Sequence, residues 1–151
     1  MALNQDYVGK VYPPGPAYLV GREKVREFAT AIGEHNPACH DVAHEASLGR
    51  PDVVAPPTYA IVIAMQALDT AILDPGLGLD YSRVVHAEQR FAYTRPLRAG
   101  DSVVTTTTIE SARVVAGNDM LTTRSDIATE SGEPICSCWN VLLARAAGEE
   151  S

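Results

Sequence analysis

A chain of 151 residues, 46% of them hydrophobic, has the size of one domain and can bury a sizeable core, so neither a cofactor nor a disulfide is needed to explain its folding and no cofactor is expected. Its 19 acidic residues outnumber 12 scattered basic ones, for a net charge of −7, which argues against a nucleic-acid or anionic-membrane surface and favours a small molecule or another protein as ligand. The opening Met-Ala-Leu-Asn-Gln-Asp carries no basic or apolar leader pattern, and no stretch approaches the roughly 18 apolar residues of a membrane span, so a soluble cytoplasmic protein is expected.

Residues 12–16, Tyr-Pro-Pro-Gly-Pro, are too proline-rich for regular structure and read as an extended segment after a short strand or turn. Over residues 20–32, Val25, Phe28, Ala29 and Ile32 recur at helical spacing opposite Arg22, Lys24, Arg26 and Glu27. That pattern predicts an amphipathic helix stopping at Gly33. A polar loop follows, Gly33-Glu34-His35-Asn36-Pro37-Ala38-Cys39-His40-Asp41. In it Asn36 is placed to hold the turn by local hydrogen bonds, and Asp41 to cap a short helix over residues 43–48.

After the break at Arg50-Pro51-Asp52, the segment Val53-Val54-Ala55-Pro56-Pro57-Thr58 leads into a second helix over residues 59–73. Thr58 is placed to cap it and Asp74-Pro75-Gly76 to end it. This helix is apolar nearly all round and must be enclosed by other structure. From Ser82 onward the period becomes two. Residues 84–93, 102–115, 120–129 and 135–145 predict four antiparallel strands in a long meander, separated by Gly-containing turns. The run Thr105 to Thr108 suits an exposed strand face or a sheet-to-sheet contact. Residues 147–151 read as a frayed tail. A buried helix followed by such strands is the order of an α+β hot-dog fold, an antiparallel sheet wrapped around a long central helix, here as one domain spanning residues 1–151.

Cys39, Cys136 and Cys138 are odd in number and lack C-x-x-C spacing, so neither a disulfide framework nor a zinc site is indicated and no metal is expected. Three reduced thiols fit the cytoplasm.

The loop from Gly33 to Asp41 resembles the G-D-x-N-P-(I/L)-H-x-D motif of MaoC-like, (R)-specific 3-hydroxyacyl-thioester hydratases and dehydratases. Together with the V-x-A-P-P-T segment at residues 53–58 and the P-x-x-x-G-D turn at residues 96–101, it follows the order seen in FAS1-type dehydratase hot-dog domains. Within that superfamily the chain is most similar to the A subunits of actinobacterial (3R)-hydroxyacyl-ACP dehydratases. In the family the Asp two residues before the Asn and the His three after it are the acid/base pair; here those places hold Glu34 and Cys39.

Dehydration of a 3-hydroxyacyl thioester requires a base for the C2 proton, an acid for the departing hydroxyl, and donors for charge on the thioester oxygen. Glu34 keeps a carboxylate but adds a methylene. Cys39 is a poor relay at its ordinary pKa near 8.5. The candidate catalytic pair is therefore Glu34 with His40, which needs a rearranged turn. The resemblance places backbone donors at the start of the central helix, where the helix dipole also favours negative charge. Pro56 and Pro57 lack N–H groups, so Thr58 and Tyr59 would form a partial oxyanion site. Asn36, Cys39, Thr58, Tyr59 and His86 are the candidate substrate-binding residues. Each also has a plain reading: Asn36 as loop anchor, Cys39 and Tyr59 as core, His86 as strand surface.

The resemblance implies an acyl-ACP or acyl-CoA substrate and a second hot-dog subunit with an intact Asp and His, this chain being the substrate-binding half of a heteromeric dehydratase in fatty-acid elongation. Bare sheet edges also favour a dimer, hetero- or homomeric. Two alternatives stand beside it: a self-sufficient homomeric hydratase or thioesterase using Glu34 and His40, and a non-enzymatic acyl-thioester binding module.

Overall fold

The computed structural model describes residues 3–146, so the reading of residues 147–151 as a tail lies outside the described residues. The chain begins with two short strands, β1 (Val11–Tyr12) and β2 (Tyr18–Leu19), joined by the proline-rich segment. Helix α1 (Arg22–Ala31) buries Val25 and Ala29. It ends because Gly33 adopts φ +73°, a left-handed conformation that glycine takes without steric cost. Asp41 caps α2 (Val42–Ser47), accepting from the N–H groups of Ala43 at 2.9 Å and His44 at 3.1 Å.

The central helix α3 runs Ala60–Ile72, and its cap residue is Tyr59 rather than Thr58. Residues 56–59 already turn, Tyr59 lying at φ −58° and ψ −31°, so the first N–H groups find backbone carbonyls: Tyr59 to Pro56 at 2.9 Å and Ile61 to Thr58 at 3.1 Å. The Thr58 hydroxyl is not needed, and that residue is exposed. The enclosure expected of α3 is incomplete within one chain. Ala60, Ile63, Ala64, Leu68, Ala71 and Ile72 are buried, while Gln66, Asp69 and Thr70 form an exposed stripe.

Four long strands follow: β3 (Val84–Tyr93), β4 (Ser102–Val115), β5 (Asn118–Thr129) and β6 (Pro134–Ala144). The sheet order is β1-β4-β5-β6-β3, with β2 also on β4, and every pairing is antiparallel. The expected four-strand meander is therefore corrected: β4, β5 and β6 form one, but β3 pairs with β6. The reason lies in residues 94–101, which are no hairpin. Ala55 donates to Leu97 O (2.8 Å), Ala99 to Val53 O (3.0 Å) and Gly100 to Val20 O (2.8 Å). These bonds carry the chain past the start of α3, from one side of the sheet to the other.

Alternate residues of β4, β5 and β6 face α3. At one end Val103, Ile127, Cys136 and Cys138 pack with Ala60, Ile63 and Ala64. At the other Ile109, Leu121 and Leu142 pack with Leu68, Ala71 and Ile72. Burying each such large side chain contributes roughly 1.5–3 kcal/mol. Thr105 and Thr107 lie on this same inward face, 8% and 2% exposed, which corrects their expected place on an exposed face or sheet-to-sheet contact. The strand alternation instead sends Thr106 and Thr108 to the outer side.

A polar staple fixes the N-terminal segment to the end of α3. Asp74 accepts from Lys10 at 2.6 Å and from the Tyr12 hydroxyl at 2.9 Å. No helix among the described residues is long and apolar enough to cross a membrane.

Candidate functional site

The motif loop is held largely by its own atoms. The N–H of Glu34 returns to Ala29 O at 2.8 Å, closing α1. The Glu34 carboxylate accepts the Asn36 N–H at 2.8 Å, and the Asn36 side chain accepts the Ala38 N–H at 3.0 Å. Asn36 thus anchors the loop while remaining on the wall of a cleft. His40 Nε2 lies 2.7 Å from the backbone carbonyl of Glu34. A carbonyl can only accept, so Nε2 carries the hydrogen. The imidazole is bound to the backbone of Glu34 and not to its carboxylate. Arg26 Nε donates to His40 O at 2.9 Å and ties this end of the loop to α1.

Cys39 is 6% exposed. Burial, and then the carboxylates of Glu34 and Glu45, push its thiol above the ordinary cysteine value, so it remains protonated at neutral pH. Among the described residues no three His, Cys, Asp or Glu side chains form a group that could hold a metal. All three cysteines are free. Cys136 and Cys138 sit with sulfurs 3.8 Å apart beneath the start of α3. The hydrogen bond with Cys136, and then burial, push the Cys138 thiol up.

Glu34, Asn36 and Cys39 come together on a cleft of about 670 Å³, facing Pro56 and Pro57. Sequence reasoning missed its other wall, made by Tyr93, Arg50 and Arg98. Tyr93 donates its hydroxyl to Pro57 O at 2.5 Å, while burial, with Cys136 and Cys138 nearby, pushes its pKa up. Of the backbone donors at the start of α3, the Tyr59 N–H is bonded to Pro56 O and the Ile61 N–H to Thr58 O.

Glu45, fully buried, is held by Arg50 at 3.2 Å and Arg98 at 3.6 Å. That arrangement joins α2 to the P-x-x-x-G-D turn. A lone Glu on a six-residue helix gives no sequence signal of burial, whereas Arg98 sits inside a motif already noticed and could have been flagged.

Three candidates lie elsewhere. Thr58 is exposed in the turn before α3. Tyr59 is fully buried, its hydroxyl 2.8 Å from that of Tyr18 and its ring edge-on to Phe28 at 5.3 Å between centroids. His86 is exposed at a bulge of β3, its Nε2 3.0 Å from Glu88 O of the same strand.

An antiparallel sheet wrapped around one helix, with a G-E-x-N-P loop beside that helix's start, defines a hot-dog protein of the MaoC-like dehydratase kind. Over residues 6–138 the chain matches the family described as FAS1-like, dehydratase domain region, and it belongs to that family. It is 52% identical over 149 residues to a UPF0336 protein of Streptomyces coelicolor, covering 99% of each chain. A UPF0336 protein of Thermobifida fusca is 49% identical over 145 residues, covering 96% of this chain and 95% of that one.

Among solved structures, a MaoC-like dehydratase superposes with a TM-score of 0.85 at 33% identity, covering 93% of this chain but 43% of that longer one. The C-terminally truncated HadBC (3R-hydroxyacyl-ACP dehydratase) complex from Mycobacterium tuberculosis superposes with a TM-score of 0.83 at 28% identity, covering 93% of this chain and 99% of that chain.

Proposed function

We propose that this protein is the substrate-binding half of a heteromeric (3R)-3-hydroxyacyl-thioester dehydratase of fatty-acid elongation. It handles an acyl chain on acyl carrier protein or coenzyme A, beside a second hot-dog subunit that carries an intact Asp and His. The observation that carries the reading is the state of the two motif positions. The Glu34 carboxylate is engaged by the Asn36 N–H, and the Cys39 thiol is buried and held protonated. Neither is poised to exchange a proton with C2 or with a leaving hydroxyl. The Tyr59 and Ile61 N–H groups at the start of α3 are already bonded to Pro56 O and Thr58 O, which takes them from a thioester oxygen.

Two features support a partner. One side of β3 has no neighbouring strand in the sheet, and the flank of α3 around Gln66, Asp69 and Thr70 is uncovered. The similar HadBC structure is itself a complex.

The deciding experiment follows the absorbance of a trans-2-enoyl thioester. The chain alone is expected to give no hydration, and rate should appear when a short hot-dog protein with an intact G-D-x-N-P-x-H motif is added. Hydration by the chain alone that is lost in His40→Ala would replace this reading with the homomeric one, in which His40, already 2.7 Å from the Glu34 carbonyl, moves to the carboxylate. Binding of the thioester with no turnover in any mixture would leave a non-enzymatic module.

A further inference from the structure

Two of the three cysteines face one another. Cys136 and Cys138 stand two apart on β6, so both side chains fall on its inward face, and their sulfurs are 3.8 Å apart. In the register Cys136 lies between Tyr93 of β3 and Ile127 of β5, and Cys138 between Phe91 and Ser125. Both are buried in the apolar cluster under the start of α3, with Ala60, Ile63 and Ala64. A single buried thiol packs as a small hydrophobe and is chemically inert. A facing pair is different, because each sulfur is a reaction partner already in place for the other.

The strand allows the pair to join. Residues two apart on an extended strand have Cα atoms roughly 6.6 Å apart, inside the range of about 4.4–6.8 Å that a disulfide spans. The residue just before the pair supplies slack: Ile127 pairs with Cys136 and Ala128 with Pro134, so Ile135 is an extra, bulged residue in the β5–β6 ladder. The two thiols also differ. The hydrogen bond from Cys138 draws the Cys136 thiol below its ordinary value against the opposing effect of burial, and the same bond pushes the Cys138 thiol up. Cys136 is thus the readier thiolate and Cys138 the proton donor. Tyr93, the β3 partner of Cys136, lines the cleft, so that one side chain separates Cys136 from a water-sized reagent in the cleft.

We propose that Cys136 and Cys138 are a modification site, a dithiol that hydrogen peroxide converts to an intrachain disulfide. The Cys136 thiolate attacks one peroxide oxygen and the O–O bond breaks. The sulfur keeps that oxygen as a sulfenic acid, and the other oxygen leaves as hydroxide, which takes up the thiol proton as water. The Cys138 sulfur then attacks the Cys136 sulfur. The S–S bond forms, the S–O bond breaks, and the departing hydroxide takes the Cys138 proton as a second water. Two thiols have lost two electrons and two protons, and one peroxide has become two waters. Joining the sulfurs brings them from 3.8 Å to about 2.05 Å, which pulls on the strand that packs under Ala60, Ile63 and Ala64. This inference does not depend on the dehydratase reading.

The test treats the whole folded chain with hydrogen peroxide near neutral pH, unfolds it in excess iodoacetamide and digests it with trypsin. Cleavage after Arg124 and Arg145 places Cys136 and Cys138 together on one peptide and Cys39 on another. The expected product is that peptide unalkylated and lighter by two hydrogens, with dithiothreitol restoring two alkylated cysteines. In Cys136→Ser, oxidation of Cys138 should be about tenfold slower than thiol loss in the wild type, because the attacking thiolate is gone. In Cys138→Ser, Cys136 should instead climb to the sulfinic acid, with no second thiol to close on it. Each variant is first checked for folding by circular dichroism, with Cys136→Ala or Cys138→Ala taking the place of one that does not fold.

Two alkylated cysteines after a peroxide dose that fully oxidises glutathione in the same tube overturn the proposal. So does sulfinic acid at one cysteine of the wild type with no bridge, or a disulfide that joins two chains, read on a non-reducing gel. A bridge that forms only once guanidinium has unfolded the chain belongs to the C-x-C sequence and not to the folded site, and overturns it too. Equal rates of Cys138 oxidation in the wild type and in Cys136→Ser sink the order of attack that the proposal assigns.

Discussion

At the residue scale the chemistry of this chain is decided by what surrounds each group. Cys39 stands in the G-E-x-N-P loop where the resemblance leads one to expect a His, and burial and two nearby carboxylates keep its thiol protonated. Alkylation of Cys39 by iodoacetamide should accordingly be slow at pH 7 and rise only above the usual thiol pKa, as read by peptide mass spectrometry; rapid labelling at neutral pH would contradict the buried, protonated state. Asp74 shows the opposite displacement. The hydrogen bond from Lys10, followed by those from the Tyr12 hydroxyl and the Gly76 N–H, holds its carboxyl at about 2, against about 3.9 in an unfolded chain. A carboxyl depressed in the folded state stabilises at pH values above the unfolded pKa, and that contribution is lost as pH falls from about 4 towards 2. Asp74→Asn should lower the melting temperature by a constant amount above about pH 4.5, with the gap to wild type narrowing below. Thermal melts across pH 2–6 would reveal this, and a gap that widens on acidification would be the wrong sign.

At the element scale, local rules explain why each segment ends where it does. Asp41→Ala removes two hydrogen bonds at the start of α2 and should cost about 1 kcal/mol in chemical denaturation. Because α2 presents Glu45 to Arg50 and Arg98, the same change should loosen the cleft wall, visible as faster amide exchange in residues 42–50. The β4–β5 hairpin closes through Ala116 at φ +50° and Gly117 at φ +80°. A two-residue loop with both residues left-handed favours Asn-Gly over Ala-Gly, so Ala116→Asn is expected to stabilise by a few tenths to about 1 kcal/mol. The meander reading failed at this scale for a physical reason: period-two patterning says which face of a strand is buried, not which strand lies beside it.

At the scale of the whole molecule, the uncovered flank of α3 and the free side of β3 are surfaces that a partner subunit would cover. Sedimentation analysis of the chain alone should therefore give an assembly of at least two chains, or a monomer that associates when a catalytic hot-dog subunit is supplied. A monomer that ignores such a subunit would count against the heteromeric reading.

What the sequence determined by itself is local and periodic. The helix stop at Gly33, the Asp41 cap, the apolar helix, four alternating strands and the G-E-x-N-P loop follow from residue types at short spacing. Glu34, Asn36 and Cys39 could be picked out because they fall inside that contiguous loop, and the resemblance they carried led to the family. Only tertiary structure decided the rest. It brought Tyr93, 34 positions on from Tyr59, onto the start of α3, buried Tyr59 against Tyr18 and Phe28, and drew Glu45 between two arginines. It also turned Thr105 and Thr107 inward beside Thr123, Ser125 and Asn140. These are contacts between residues far apart in the chain, and a threonine or tyrosine looks the same in sequence whether its hydroxyl meets water or another strand; only the closing of the sheet around α3 settles which.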